Sequence, residues 1–387
     1  MWSIIPSSIK QLHLLFKQSN KSLYLVGGSV RDFLNNETPK DYDLATDATP
    51  DEILEITKSF KSKLQGEAFG VVVVRTQDGD FEIAAFREDV YGSKLGETRN
   101  PDVKFSTIDK DVLRRDLTFN ALFYDLDKQE IIDLVGGVED MKNRIARFVG
   151  NPTERIIEDP LRILRILRFS ERYGFRIEKR SAEAIIDKAK LLSSVVFDSL
   201  KSDGKATFKY LITKERIWEE IVKGFKQSKN FYNYIWSLIG YGIADEIFKG
   251  IYIPKSHIYQ NLSLEMHFAL LFMENSTVGL LDKMKFEFKM PHDFSRKVVF
   301  LLDLMYLTPE KAIELQKRKV ICGATNEELL QWYDLVSLHT AAHKAFLKYE
   351  PSVKAEELML KGFKNKALGS EIKRLELQKF NSLINEI

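Results

Sequence analysis

The sequence predicts an α+β fold in which a small mixed head is followed by a long helical part. From Leu23 to about Leu134, short β-rich runs such as the four valines 71–74 alternate with turn residues and helix signals. After roughly residue 145, strand signals nearly vanish and helical periodicity continues to the end. We therefore expect one sheet in the head and helices in the rest of the chain.

The bulk composition is that of an ordinary soluble globular protein. At 387 residues the chain is too long for one core, so two to four domains are expected. The net charge of +2 means that a polyanionic partner must meet a local basic face. The single cysteine, Cys322, excludes an internal disulfide and a cysteine zinc cluster, which indicates a reducing, cytoplasmic location. Neither a secretory signal nor a stretch of about 20 apolar residues is visible, so no membrane association is expected.

Paired glycines follow the first predicted strand. Residues 22–26 have the pattern of a buried strand, and Gly27 and Gly28 come directly after it, followed by Arg31 and Asp32. A backbone without Cβ atoms can approach a triphosphate closely and offer its N–H groups to it. This turn is therefore a candidate phosphate-binding element.

Two aspartates follow a short distance along the chain. Asp41 and Asp43 are spaced with period two, which on a strand would point both carboxylates to one face and Tyr42 to the other. Two hard oxygen ligands suit Mg²⁺, which prefers carboxylates plus substrate phosphates. The order of glycine turn and paired carboxylates favours phosphate chemistry over a plain turn.

Glu82 is a candidate third carboxylate. It lies in the β-rich run 81–86, where strand alternation places it opposite Phe81 and Ile83. If this strand borders Asp41 and Asp43, Glu82 joins the metal site. The alternative is a solvent-facing charge on an edge strand.

A second polar group stands where polar chain runs into the apolar segment 121–123. It contains Arg114, Arg115, Asp116 and Asn120. Arginine forks bind phosphate oxygens bidentately, and Asn120 is suited to position a sugar or a phosphate. The alternative is a surface ion-pair cluster at a helix end. Ligand contact is favoured for Arg115, and the two interpretations stay open for Arg114.

A helix in the second part of the chain carries a pair of residues suited to read a base. Asp159 precedes Pro160 at the helix start, and Arg162, Arg165 and Arg168 recur every third residue. Cytosine and adenine each present an amino donor beside a ring-nitrogen acceptor, whereas guanine and uracil present a carbonyl beside N–H. An Asp acceptor next to an Arg donor therefore complements C and A. The alternative for this pair is an intrahelical salt bridge.

Together, these motifs resemble those of the class II tRNA nucleotidyltransferases, which comprise the CCA-adding enzymes and their CC-adding, A-adding and bacterial poly(A) polymerase relatives. The resemblance rests on residues 25–32, 41–46, 114–121 and 158–162, with a connector at 133–137 and a last motif at 214–220. It implies a nucleotidyltransferase-type β-sheet head domain followed by an all-helical neck, body and tail. The implied boundaries are 1–145, 146–225, 226–315 and 316–387.

The resemblance also implies the chemistry. Asp41 and Asp43 would hold two Mg²⁺ ions, while CMP and AMP pass from CTP and ATP to the tRNA 3′-hydroxyl and pyrophosphate leaves. Glu82 joins these two as a catalytic candidate because of its position in the predicted strand 81–86. The tRNA would bind through its 3′ end and its acceptor and T arms, with no obligate protein partner, and the chain is expected to be a monomer. The residues that would contact the nucleotide are Gly27, Gly28, Arg31, Asp32, Arg115, Asp116, Asn120, Asp159, Arg162, Arg165 and Arg168.

Two segments bear on which member of the family this is. The interval 195–210 is longer than the family usually shows, which predicts an extra loop or helix in the neck. The polar segment 89–101 has full length, with Arg99 where relatives often show a denser arginine pair. CC-adding relatives typically lack this loop, so its presence favours complete CCA addition, with A-only addition still open.

Two further alternatives concern the whole chain. A poly(A) polymerase is disfavoured because the chain ends soon after its tail motif without a long basic extension. A catalytically silent RNA-binding protein is disfavoured because a pure binder has no need of converging metal carboxylates. Lys361, Lys364 and Lys366 in the tail are suited to bind tRNA phosphates, although a solvated lysine face is an equal alternative.

Overall fold

A computed structural model describes residues 2–65, 70–90, 102–200, 206–253 and 262–387. Its contacts divide the chain into two compact units, Met1–Lys249 and Gly250–Ile387. The first unit contains a mixed β-sheet with helices, and the described part of the second is helical. The predicted α+β class is thereby confirmed. No helix of the described residues is both long and apolar enough to cross a membrane.

One seven-stranded sheet, in the order β3-β4-β5-β2-β1-β8-β9, forms the head. Strand β2 runs parallel to β5, whereas the other neighbouring strands of this sheet run antiparallel. The strands are β1 (Leu23–Val26), β2 (Asp43–Thr46), β3 (Lys61–Gln65), β4 (Val71–Thr76), β5 (Gly79–Ala85), β6 (Arg87–Val90), β7 (Asp102–Phe105), β8 (Phe123–Asp125), β9 (Glu130–Ile132), β10 (Ile145–Ala146), β11 (Arg176–Ile177), β12 (Val195–Leu200) and β13 (Ala206–Tyr210).

The centre of the sheet is apolar because β1 and β2 bury most of their side chains, among them Leu25 and Leu44. In the antiparallel register of these strands Val26 is the partner of Asp43. The end of β1 and the start of β2 therefore meet at one edge of the sheet. This pairing places the chain that follows Val26, the glycine turn, beside the aspartates.

Helices make up most of the remaining described chain. The helix predicted near residues 49–51 is present as α3, whose first turn is closed by reciprocal hydrogen bonds between Thr49 and Glu52. The helices are α1 (Ser7–Gln18), α2 (Gly28–Leu34), α3 (Pro50–Ile56), α4 (Ile108–Leu113), α5 (Gly137–Lys142), α6 (Pro152–Glu158), α7 (Leu161–Tyr173), α8 (Lys179–Lys188), α9 (Lys214–Gln227), α10 (Phe231–Gly240), α11 (Ile243–Ile247), α12 (Leu264–Phe272), α13 (Leu280–Asp282), α14 (His292–Leu304), α15 (Pro309–Ile321), α16 (Asn326–Leu335), α17 (Ala341–Lys348), α18 (Ala355–Leu360) and α19 (Asn365–Asn385).

The expectation that strands end near residue 145 is wrong. Strands β12 and β13 form an antiparallel hairpin in the interval that was expected to be an extra loop or helix. Hydroxyl groups of Ser199 and Thr207 link the two strands. Short β-branched and aromatic runs on both sides of a turn favour a hairpin over a helix. The turn residues 201–205 lie outside the described residues, as do residues 91–101 of the polar segment 89–101.

The second unit is built around buried aromatic side chains of its helices. Trp332 and Phe300 are fully buried, and the ring of Phe268 packs edge-on against Phe294 at 5.3 Å between centroids. In the last helix, Glu376 is 1% exposed and accepts a hydrogen bond from the hydroxyl of Tyr349. This buried acceptor ties α19 to the chain that precedes it.

Candidate active site

One cleft of about 560 Å³ in the first unit brings together most of the residues singled out from the sequence. Of those residues, Asp32 and Glu82 do not line it. The lining residues are Gly27, Gly28, Arg31, Asp41, Asp43, Arg114, Arg115, Asp116, Asn120, Asp159, Arg162, Arg165, Arg168, Phe169, Arg172 and Gln227.

The turn after β1 requires glycine at its first position. Gly27 has a φ of +66°, and a Cβ atom there would stand 3.4 Å from the carbonyl oxygen of Asn120 and 3.6 Å from Nη1 of Arg115. L-residues rarely adopt this conformation. Helix α2 starts at the next residue, so its first backbone N–H groups lack partners within the helix, whereas the N–H of Gly27 itself donates to the carbonyl oxygen of Leu122.

Asp41 and Asp43 both line the cleft, although only Asp43 lies on a strand. Strand β2 begins at Asp43 and Asp41 lies in the preceding bend, so the prediction that both stand on one strand is wrong for Asp41. Tyr42 turns to the apolar side, where its ring contacts Phe33 and Phe81. Within the described part of the chain, neither carboxylate has a hydrogen-bond or ion-pair partner.

Negative charge accumulates around Asp43. Its register partner on β5 is Glu82. Burial raises the pKa of Asp43, and the charges of Glu82 and Asp41 raise it further, against an opposing effect of Arg115. Because the negative charge of Asp43 is unfavourable here, a bound cation would stabilise the ionised carboxylate.

The donor set fits Mg²⁺ completed by a substrate rather than by protein alone. Asp41 and Asp43 supply hard oxygen ligands, and Mg²⁺ commonly takes one or two carboxylates together with phosphate oxygens. No group of three or more His, Cys, Asp or Glu side chains in the described residues is arranged to hold a metal. Strand β5 does border β2 at Asp43, as the prediction for Glu82 requires, so Glu82 stays a candidate third carboxylate although it does not line the cleft.

Asp111, which no motif in the sequence singled out, holds both arginines of the second motif. Its carboxylate is 1% exposed and accepts hydrogen bonds from Nε of Arg114 at 2.8 Å and from Nε and Nη2 of Arg115 at 3.0 and 2.8 Å. Burial alone would raise the pKa of Asp111, but the two guanidinium groups hold it below its usual value. The spacing of three and four residues on one helical turn was the available signal.

A chain of hydrogen bonds links the same motif to α2. Asp116 accepts a bond from the side-chain amide of Asn120 at 3.2 Å, and Asn120 in turn accepts one from Arg31. The guanidinium of Arg31 lies 5.3 Å from the ring centre of Phe169. Asp32 receives hydrogen bonds from Arg31, so it supports Arg31 from outside the cleft.

Two arginines of helix α7 each form an ion pair with a carboxylate on another segment. Arg165 bonds Asp116 at 2.7 Å, and Arg168 bonds Glu220 of α9 at 2.8 Å. Burial would raise the pKa of Asp116, yet Arg165 and further hydrogen bonds lower it to about 2. Glu220 is 2% exposed, and Arg168 likewise lowers its pKa against the effect of burial.

Asp159 and Arg162 both line the cleft, and each has a partner of its own. Asp159 accepts a hydrogen bond from Arg216 of α9 at 2.8 Å, and Arg162 donates to Glu158 at 2.6 Å. Arg162 also donates to the backbone carbonyl of Arg114 at 3.0 Å. The alternative of a salt bridge between Asp159 and Arg162 is therefore wrong, because these separate partners hold the two side chains in place.

Three further cleft residues were missed from the sequence. Phe169 and Arg172 lie on α7. Arg172 follows Arg168 by one helical turn, so the spacing of the arginines could have predicted it. Gln227 ends α9 and accepts a hydrogen bond from Arg168. No local pattern marks Gln227, because its place in the cleft depends on the packing of α9 against α7.

A sheet that presents a glycine turn and two carboxylates to an arginine-rich cleft is the head arrangement that the motifs predicted. Residues 23–147 match the family described as poly A polymerase head domain. The chain is 37% identical over 231 residues to CCA tRNA nucleotidyltransferase 1, mitochondrial, of Homo sapiens, covering 57% of this chain and 48% of that protein. It is 35% identical over 201 residues to poly(A) polymerase I of Salmonella typhi, covering 50% of this chain and 43% of that protein.

The fold likeness extends over nearly the whole chain. The crystal structure of the Bacillus stearothermophilus CCA-adding enzyme in complex with CTP aligns with a TM-score of 0.66 at 21% identity, covering 99% of this chain and 94% of that one. Over residues 23–147 the chain therefore matches the poly A polymerase head domain, and its overall fold is similar to that of a CCA-adding enzyme. Its sequence matches span about half the length of these curated relatives.

Proposed function

We propose that this chain adds the 3′-terminal CCA sequence to tRNA by transferring CMP and AMP from CTP and ATP to the tRNA 3′-hydroxyl, with release of pyrophosphate. The observation that carries the proposal is that one cleft is lined both by the unpaired Asp41 and Asp43 and by Asp159 and Arg162. Such a cleft holds the reacting phosphate at one end and a base at the other. A protein template of this kind is what untemplated C and A addition requires.

At the phosphate end, Asp41 and Asp43 would hold Mg²⁺. When bound there, Mg²⁺ supplies positive charge to the phosphates and lowers the pKa of the attacking hydroxyl. The turn at Gly27 and Gly28 would let the triphosphate approach the backbone at the start of α2, and Arg115, fixed by Asp111, offers its guanidinium. Glu82 acts on this end through its charge beside Asp43.

At the base end, Asp159 would accept from the exocyclic amino group of C or A and Arg162 would donate to the ring nitrogen. The partners Arg216 and Glu158 restrict these side chains before any nucleotide arrives. Restricted side chains select better because guanine and uracil cannot induce a rearrangement that satisfies them. Arg165 and Arg168 brace the same helix through Asp116 and Glu220.

The domain roles stay part of the proposal. A catalytic head at 1–145 and a base-recognition neck at 146–225 lie within the first unit, and a helical body at 226–315 and a tRNA-binding tail at 316–387 follow. Lys361, Lys364 and Lys366 are the tail residues proposed to contact tRNA phosphates. A cytoplasmic location is part of the same proposal and is supported by the single cysteine, which suits a reducing compartment.

The A-adding, CC-adding and poly(A) polymerase activities are the alternatives within this family. The curated relatives named above include a poly(A) polymerase as well as a CCA-adding enzyme. The full length of the segment 89–101 favours complete CCA addition.

Incubation with three tRNA substrates separates these activities. The tRNAs end in the discriminator base, in C or in CC, and each receives CTP and ATP together with Mg²⁺, with one of the two nucleotides labelled, and in parallel each nucleotide alone. A CCA-adding enzyme extends all three to the same CCA end and then stops. Incorporation of ATP alone into the CC substrate identifies an A-adding enzyme, arrest at CC identifies a CC-adding enzyme, and a long ladder with ATP identifies a polymerase. The absence of any incorporation contradicts the proposal.

A further inference from the structure

A second cleft of about 410 Å³ adjoins the catalytic cleft in the first unit. Arg172 and Gln227 line both clefts. The second cleft lies at the C-terminal end of α7, which is the end remote from Asp159 and Arg162. The two clefts are therefore continuous, and the proposed base-reading pair lies away from the second one.

The second cleft carries an excess of unpaired positive charge. Arg144, Arg172 and Lys229 line it, against the single carboxylate of Glu37. None of the three cations has an ion-pair partner among the described residues, whereas Arg162, Arg165 and Arg168 of the catalytic cleft are all paired. Cations gathered without carboxylate partners are suited to an anionic ligand.

Arg144 occupies a backbone position that favours glycine. It follows the end of α5 with a φ of +54°, in the left-handed region where helices commonly end on glycine. An arginine there sacrifices stability for a charged side chain at the mouth of the cleft. It is the charges of the lining residues that indicate a ligand, and the positive φ of Arg144 supplies a variant that separates stability from binding.

The remaining lining groups specify the anion further. The buried side chains of Met141 and Phe175 form an apolar part of the wall. The amide oxygen of Gln227 is occupied by Arg168, which leaves its NH₂ group as a donor. An apolar wall beside cations suits a phosphate that carries a nucleoside better than free pyrophosphate, which has no apolar part.

We infer that the second cleft binds the RNA strand immediately upstream of the reacting 3′ end, with Arg144, Arg172 and Lys229 on its phosphodiester groups. A strand whose terminus lies beside Asp41 and Asp43 passes Arg172 and Gln227 on its way out of the catalytic cleft. The inference rests on the proposed function, because it takes RNA as the substrate.

The test measures the Kd of the full chain for a tRNA ending in CC, without nucleotide, over a series of salt concentrations. Arg144→Ala and Lys229→Ala, which change residues of the second cleft alone, are each expected to weaken binding roughly fivefold to tenfold. Each should also make the salt dependence shallower by about 0.7 in the log–log slope for every RNA phosphate that the variant no longer binds. Lys142→Ala and Lys226→Ala are matched controls, because both remove an exposed lysine of α5 or α9 that lines neither cleft.

Two further measurements distinguish the expected loss of strand binding from a folding defect and from binding of tRNA elsewhere. Arg144→Gly relieves the positive φ, so it should weaken tRNA binding while the thermal unfolding temperature stays the same or rises. The effect of Arg144→Ala should also disappear for a tRNA whose 3′ single strand has been removed.

The inference is overturned if both cleft variants bind tRNA like their lysine controls. It is also overturned if they weaken CTP or pyrophosphate binding instead, because the anion is then a nucleotide or its product. Failure of the proposed function is a separate result. A wild-type chain that binds tRNA but incorporates neither CMP nor AMP contradicts the nucleotidyl transfer, while the Kd values still decide the role of the second cleft.

Discussion

The two ends of the catalytic cleft treat charge in opposite ways. The carboxylate end, Asp41 and Asp43 with the neighbouring Glu82, has no ion-pair partner within the described residues, and its negative charges repel one another. The arginine end, which comprises Asp159, Arg162, Arg165 and Arg168, has every charge paired with a named partner.

The difference indicates which ligand each end of the cleft is suited to bind. Unpaired carboxylates destabilise the fold slightly and are relieved only when a cation binds, so this end is completed by its ligand. Paired charges at the arginine end lose little freedom when a nucleotide arrives, so this end is already shaped for recognition. A reacting centre and a specificity template placed in one cleft would need these two properties respectively.

The largest expected effect comes from Asp43→Asn. Nucleotide incorporation should fall by on the order of a thousandfold or more, because the proposed metal site loses one of its two carboxylates. The free energy of unfolding of the variant should be slightly higher than that of the wild type at neutral pH, because a raised pKa means that the charge of Asp43 opposes folding. This stabilisation should vanish as the pH drops below the ordinary value of 3.8, where Asp43 is protonated in both states.

Asp47→Asn is the matched control for that experiment. Asp47 lies just beyond the other end of β2, accepts a hydrogen bond from the backbone of Ser22, and does not line the cleft. It should retain incorporation and lose some stability. If Asp43→Asn kept its turnover, or lost stability as Asp47→Asn does, Asp43 would have a structural role. The proposed difference between the carboxylate end and the arginine end would then be wrong.

Arg162→Ala tests the template at the arginine end. The preference for CTP over UTP, expressed as the ratio of kcat/KM values, should fall roughly tenfold to a hundredfold because one donor to the base edge is lost. Arg155→Ala is the control, since Arg155 shares Glu158 with Arg162 but does not line the cleft. An unchanged CTP preference in Arg162→Ala would remove Arg162 from base recognition.

Asp116→Asn tests how much the pairing at the arginine end contributes to stability. The pKa of Asp116 is lowered from 3.8 to about 2, so its charge should contribute about 2 kcal/mol to the free energy of unfolding at neutral pH. A lowered pKa stabilises above the ordinary value and loses that effect as the pH falls through about 2. Urea unfolding at pH 7 and at pH values below 4 should show the variant and the wild type converging.

The exposed pair of Arg75 and Asp80 provides the contrast for that measurement. Asp80→Asn should barely change the stability at any pH, because an exposed ion pair is screened by water. Equal effects of Asp80→Asn and Asp116→Asn would show that the buried network adds nothing beyond a surface pair.

The smallest effect is expected for Glu82→Gln. Glu82 is a strand partner of Asp43 but lies outside the cleft lining, so incorporation should fall by less than about tenfold. The Mg²⁺ concentration that gives half-maximal turnover should change little. A large rise in that concentration would make Glu82 a metal ligand and extend the carboxylate end to three residues.

Local sequence predicted the parts of the site that depend on neighbouring residues. Gly27 follows a buried strand and adopts the positive φ that glycine allows, and Pro160 marks the start of α7 with its arginine stripe. The same reasoning placed Asp41 on a strand, where the structure has a bend. It also missed the β12–β13 hairpin, because two short strands without a third neighbour leave a weak pattern.

The sequence by itself determined the order of the motifs, the glycine turn, the spacing of Asp41 and Asp43, and the arginine face of α7. These features follow from residue type and from periodicities of two and 3.6 residues, which act within a few positions along the chain. Only the tertiary structure decided that Arg168 pairs with Glu220 and Asp159 with Arg216, over 50 residues away. It also decided that a second cationic cleft continues from the first. Those contacts depend on which helix packs against which, and the free energy of that packing is shared by many side chains, so no single segment of sequence specifies it.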